Sequence, residues 1–189
     1  MQKSHSFGID FNTYSKRGKN NHFPILESCP MCHSRKRLHR HGFYWRYGVT
    51  ELIVERVPIC RLLCTICNKT VSILPSFFIP YFQYTMCTVL RRLEERVYHR
   101  SINCSRQLAA FYFKRFMRQL NWLHTFFIDQ MEFYFAVGKT EKEKATKYMK
   151  MIRDFGESTF FRRSVGHLSS YFMAPPLYHG QIISVMDGE

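Results

Sequence analysis

The sequence predicts an α+β fold: a small three-stranded sheet module in front of a mostly helical domain. Three observations carry that expectation. Two Cys-x-x-Cys pairs, Cys29/Cys32 and Cys64/Cys67, bracket a stretch with β-like alternation. From Tyr84 onward the apolar residues recur at helical spacing, with Met86, Leu90, Leu93 and Val97 the first such row. The excess positive charge lies entirely before Asn121: residues 1–120 hold twenty Lys and Arg against six Asp and Glu, and residues 121–189 hold eight of each.

Length and composition set the outer bounds. A chain of 189 residues with 46% apolar composition has room for one or two domains, and its eighteen Phe and eleven Tyr make the core aromatic. There is no run of about 18 uncharged apolar residues and Met1–Asp10 has no apolar leader, so no membrane partner and a cytoplasmic setting are expected. Seven cysteines, an odd number, fit thiols kept reduced with four of them on metal.

Residues 1–28 are polar and include Lys16-Arg17-Gly18-Lys19, which predicts a flexible basic arm able to settle on a phosphate backbone. Residues 29–75 carry metal-site arithmetic. A two-residue gap lets both sulfurs of a tight turn face one ion, so each Cys-x-x-Cys pair supplies half of a tetrahedral site. A redox pair would call for a thioredoxin-like strand and helix around the motif, and neither pair has that setting. The expected cofactor is one structural Zn²⁺ per chain on Cys29, Cys32, Cys64 and Cys67. Cys60 falls outside the paired spacing and reads as a buried small hydrophobe, with His33, His39 and His41 as surface or groove-facing donors.

Between and after the knuckles, Leu38–Tyr47, Glu51–Val57 and Thr70–Leu74 read as strands, with Gly48 as a turn signal and Pro75 as a stop. Three strands pinned by two knuckles make a zinc ribbon. A piece of about 50 residues has too little core to fold unaided, so the metal supplies folding free energy directly.

Residues 76–120 are expected to form a helix-turn-helix-like DNA-binding region. Leu74–Tyr81, held between Pro75 and Pro80, cannot be helical and reads as a rigid buried strap. The Met86–Val97 row makes one amphipathic helix, and Ser105 is placed to cap a second that runs to about Leu120. On that second helix Leu108, Tyr112 and Phe116 form the inward stripe, leaving Arg106, Gln107, Ala110, Lys114 and Arg118 outside. Arg106 and Gln107 suit guanine and adenine edges, Ala110 permits close approach, and Lys114 and Arg118 suit phosphates. On the hairpin, Arg40, His41 and Arg46 are the candidate contacts.

Residues 121–189 read as an aromatic-rich helical region. Trp122–Val137 is apolar nearly all round and ends at Gly138. Thr140-Glu141-Lys142-Glu143 is a capping box opening a helix with Ala145, Tyr148, Met149, Ile152 and Phe155 inward. Another helix is expected over Ser158–Phe172, then Pro175-Pro176 and a short strand, Gln181–Met186. The acids here fall at caps and solvated faces and suggest no carboxylate triad, so no catalytic residue is assigned and a non-enzyme is expected.

Cys29-Pro30-x-Cys32, a basic His-rich hairpin, and then Arg61-x-x-Cys64-x-x-Cys67-x-x-Thr70-x-Ser72-x-Leu74-Pro75-x-Phe77-x-x-Pro80-Tyr81 resemble the zinc-ribbon family associated with bacterial transposases and mobile-element proteins. The resemblance covers roughly residues 25–120. Many members carry Gly soon after the first knuckle, where this chain has His33-Ser34. It implies a ribbon preceding a helix-turn-helix and a protein that binds duplex DNA at the nucleoid. Residues 121–189 would then serve self-assembly or contact a recombinase or transposase subunit. A transposase-derived enzyme, or a partner of a catalytic subunit in transposition, is the second expectation, and an RNA-binding or polymerase-associated ribbon the third.

Overall fold

The computed structural model describes residues 1–98, 104–131 and 138–174. It is a mixed α/β structure with a four-stranded sheet and six helices among those residues. The strands are β1 (Gln2–His5), β2 (His39–Val49), β3 (Val54–Leu63) and β4 (Thr70–Pro75), in the spatial order β1-β4-β3-β2. The three expected strands form an antiparallel meander. The fourth, β1, lies parallel to β4 with Gln2 opposite Ser72 and His5 opposite Pro75.

That fourth strand corrects the expectation of a flexible arm over residues 1–28, and the three-stranded count with it. The charges of Lys16, Arg17 and Lys19 suggest an arm, but the apolar residues before them have a destination. Helix α1 (Phe11–Arg17) opens on Asp10, whose carboxylate accepts the Thr13 N–H at 2.7 Å, and buries Phe11 and Tyr14. The Tyr14 hydroxyl donates to the Pro58 carbonyl at 2.7 Å, and its ring meets Phe7, Phe23 and Phe77 edge-on. The segment therefore covers the sheet and satisfies part of its backbone.

Gly48 is not the hairpin turn. It lies within β2, where a Cβ would come within 2.7 Å of the rings of Phe11 and Phe78, so the absence of a side chain is what lets both rings close on the strand. The turn falls two residues on, where the Thr50 hydroxyl accepts from the Leu52 and Ile53 N–H groups. β3 accordingly starts at Val54 and continues through Cys60 to the second knuckle.

Two buried clusters organise the molecule. One lies on the sheet and runs from Phe11 to Phe78; the other runs from Ile79 to Ala174. The strap between Pro75 and Pro80 links them, since Phe78 belongs to the first and its neighbour Ile79 to the second. The helical cluster joins α2 (Met86–Val97), α3 (Arg106–Met117), α4 (Leu120–Met131), α5 (Glu141–Phe155) and α6 (Glu157–Ser164). Residues 76–120 and those after 121 thus share one core. The expected caps hold: the Ser105 hydroxyl accepts from the Leu108 N–H, and Thr140 and Glu143 form the reciprocal capping box. The helix expected over Ser158–Phe172 stops at Ser164, followed by Gly166 in the left-handed region. Residues 99–103, in the turn of the expected helix-turn-helix, the end of the Trp122–Val137 helix and the strand at Gln181–Met186 lie outside the described residues.

Candidate metal centre and nucleic-acid face

The two knuckles meet. The four sulfurs of Cys29, Cys32, Cys64 and Cys67 all lie within 4.8 Å of one another, with Cys29–Cys67 and Cys32–Cys64 each at 3.8 Å. A tetrahedron with metal–sulfur bonds of about 2.3 Å has sulfur–sulfur edges of about 3.8 Å, so the set fits one thiolate-bound ion. These separations are nearly twice the ~2.05 Å of a disulfide.

The local chain explains the convergence. In the first knuckle the His33 N–H donates to the Cys29 carbonyl at 2.9 Å and the Cys29 N–H to the Ser34 carbonyl at 3.0 Å; in the second the Cys64 N–H donates to the Lys69 carbonyl at 3.0 Å. Each turn closes through a left-handed residue directly after its second cysteine, His33 (φ 57°) and Asn68 (φ 53°). Histidine and asparagine are residue types that tolerate positive φ better than most. Cys29 and Cys64 are 1% and 2% exposed, while Cys32 faces solvent.

Hydrogen bonds divide the thiols before any ion binds. Backbone N–H groups of Cys67 and Ile66, together with Ser34, pull the Cys64 thiol down to about 6. Ser34 also lowers Cys32, by side-chain and backbone hydrogen bonds. Cys67 is pushed up to about 11 by burial and by the neighbouring sulfurs. Deprotonation is therefore easiest at Cys64, and a bound cation would offset the opposing shift at Cys67. Ser34 was invisible as a contributor in the sequence, where only its place after the knuckle marks it.

The competing side chains sit elsewhere. Cys60 is fully buried in β3, and burial raises its thiol. His39 and His41 are exposed on β2. Cys87 and Cys104 are not among the clustered sulfurs.

The residues singled out for nucleic acid fall into two groups. On α3, Arg106, Gln107, Ala110 and Lys114 are exposed, as is its C-cap Arg118, while Ala109 is buried and Tyr112 and Phe116 join the helical core. On the hairpin, His41 and Arg40 are exposed, with the Arg40 guanidinium 5.8 Å from the centre of the Phe43 ring. Arg46 is different. Its guanidinium lies 4.8 Å from the centre of the Phe78 ring and donates to the Ile79 carbonyl at 3.4 Å, and burial holds its pKa below that of a free arginine. It fastens β2 to the strap, a role its sequence position between aromatics did not reveal.

No protein-family model, curated protein or solved structure matches this chain.

The sequence also gave no sign of an open cleft of about 930 Å³ between the two cores. It is lined by the start of α1, the β2–β3 turn, the first turns of α2 and the start of α6. Glu51 and Arg91 form an ion pair in its wall, and Glu157 and the exposed Cys87 also line it. No helix among the described residues is long and apolar enough to cross a membrane.

Proposed function

We propose that this chain is a DNA-binding protein whose sheet module is held by one structural Zn²⁺, and that it belongs with the transposase-like or regulatory proteins of mobile elements. The metal is Zn²⁺ because an all-cysteine tetrahedral set suits a borderline-soft ion without geometric demands of its own. Duplex DNA is the partner. The observation that carries the reading is the outer face of α3, where Arg106, Gln107, Ala110, Lys114 and Arg118 are solvent-facing together on a helix whose other side is buried. A helix so presented can enter a major groove, with its N-terminal Arg106 and Gln107 at base edges and Lys114 and Arg118 over the backbone. The charge distribution supports the same reading, with all the formal excess of +14 before Asn121.

The test separates reading from holding. After selection of a preferred site from random duplexes, Arg106→Ala or Gln107→Ala is expected to cost about 1–3 kcal/mol on that site and little on scrambled DNA. Lys114→Ala is expected to weaken every duplex alike and lower the salt slope by about one. Equal losses on matched and scrambled DNA for all these variants would reduce α3 to a basic surface and end its role in recognition.

A further inference from the structure

One face of β2 is left open in a way the duplex reading does not use. Phe43, Trp45 and Tyr47 alternate along the strand and so point the same way, and their partners across the ladder on β3 are Cys60, Pro58 and Arg56. Phe43 is covered by Phe23, whose ring centre lies 5.2 Å away. The next two rings are not covered: Trp45 is 47% exposed and Tyr47 is 52% exposed. Exposing two large rings to water on one strand is costly unless something else covers them.

The cations beside these rings narrow what that is. Lys19 Nζ lies 5.9 Å from the centre of the Trp45 ring and 5.8 Å from that of Phe43, the Arg56 guanidinium 5.6 Å from Tyr47, and Arg40 5.8 Å from Phe43. They stand on α1's C-terminal extension, on β2 and on β3, so positive charge borders the rings from three elements. An apolar protein partner would have to desolvate or neutralise every one of them. A polyanion carrying flat apolar groups meets both features at once, its phosphates on Lys19, Arg40 and Arg56 and its planar groups on the rings.

Rings two residues apart on a strand stand about 6.8 Å apart, enough for each to receive its own planar group. In a duplex the base faces are already stacked on one another, so only an unpaired strand can offer them. β2 is also the edge of the sheet; its Val49 end is paired with Gln83 and Thr85, and Trp45 and Tyr47 precede that pairing.

We propose that the β2 face formed by Trp45 and Tyr47, bordered by Lys19, Arg40 and Arg56, binds single-stranded DNA by stacking bases on the two rings. The choice of DNA over RNA rests on the function proposed for α3; the stacking platform itself does not.

The two tryptophans make the test direct, because Trp45 is open and Trp122 is 7% exposed in the helical core. Titration of the full zinc-loaded chain with a deoxythymidine oligonucleotide is expected to quench the exposed, iodide-accessible part of the tryptophan emission and to leave the Trp122 part unchanged. Tyr47→Ala and Trp45→Ala are each expected to lower single-strand affinity roughly five-fold to a hundred-fold, with a much smaller change on duplex DNA. Trp45→Phe is expected to keep most of the affinity, and metal content with Trp122 emission reports whether each variant is folded.

Undiminished single-strand affinity in both folded alanine variants would overturn the proposal, as would duplex binding by a chain that ignores the oligonucleotide. Tighter binding of a uridine oligonucleotide than of the thymidine one would overturn the commitment to DNA. Stacking that persists while Arg106→Ala and Lys114→Ala leave duplex binding intact would sink the role given to α3 and keep this one.

Discussion

The sheet core gathers Phe11, Tyr14, Cys29, Val57, Cys60, Ile73 and Phe78 across the first half of the chain, whereas the helical core is built of rings such as Phe116 on α3, Trp122, Phe126 and Phe127 on α4, Phe160 on α6, and Phe172 beyond it. In the first, the decisive contacts join distant residues: Gln2 with Ser72, Tyr14 with Pro58, Cys29 with Cys67. Each closes a long loop whose entropy must be offset by few buried groups. In the second, Trp122 stacks on Phe126 one turn away, yet long closures occur too: the Trp122 indole donates to the His167 carbonyl and Phe116 meets Phe172 edge-on. The difference that remains is size: fourteen buried residues make up the sheet core and twenty-three the helical one among the described residues, so an ion holding four cysteines at one point would contribute most to the smaller.

The largest effect should come from removing the ion or one ligand. Cys64→Ser, or a strong chelator, is expected to withdraw on the order of 10 kcal/mol of binding free energy from the sheet module. Hydrogen exchange would show amides of β2, β3 and β4 losing protection while those of α4 and α5 keep it, and metal analysis would show less than one ion per chain. Equal loss in α4 and α5 would mean that the two cores are one folding unit, and stoichiometric metal in Cys64→Ser would refute the four-cysteine site.

Next comes the segment that looked like an arm. Tyr14 is fully buried, and its hydroxyl is held by the Pro58 carbonyl. Tyr14→Ala should cost about 3–5 kcal/mol by urea unfolding. Tyr14→Phe, which removes only the hydrogen bond, should cost about 1 kcal/mol. A loss below 1 kcal/mol for the alanine variant would return residues 1–28 to the status of an arm.

The helical half should answer to its own local devices. Thr140→Ala removes the hydroxyl that accepts the Glu143 N–H at 3.2 Å. A loss of about 1 kcal/mol is expected, confined to the exchange of α5 amides, with metal retention unchanged. Faster metal release from this variant would couple the two halves more tightly than their separate clusters suggest.

The smallest effect lies at the first knuckle. His33 adopts φ 57°, which strains a residue with a Cβ. His33→Gly is expected to stabilise the metal-loaded chain by less than about 1 kcal/mol, measured as slower metal transfer to a competing chelator. Faster transfer would show that the imidazole supports the knuckle in a way its backbone conformation does not explain.

Much of this was legible in the residues. The Cys-x-x-Cys spacing named all four clustered sulfurs, because a tight turn between two ligands is a local property. The caps at Ser105 and Thr140 were legible because a hydroxyl and the N–H it accepts lie three residues apart, and the exposed face of α3 followed from a 3.6-residue period. Other features were not. Arg46 and Arg40 lie on the same strand in similar aromatic and basic surroundings, yet one is clamped between Phe78 and Ile79 and the other is exposed, and no local pattern separates them.

The sequence by itself determined which residues could bind metal, where helices α3 and α5 begin, and which side of α3 turns outward, since each depends on residues a few positions apart. Only the tertiary structure decided that Gln2–His5 is a strand, that Gly48 yields its space to Phe11 and Phe78, and that Trp45 and Tyr47 remain open beside three cations. Those outcomes depend on which distant surfaces meet. The energies that settle the meeting, burial of rings and closure of long loops, belong to pairs of segments rather than to either segment alone.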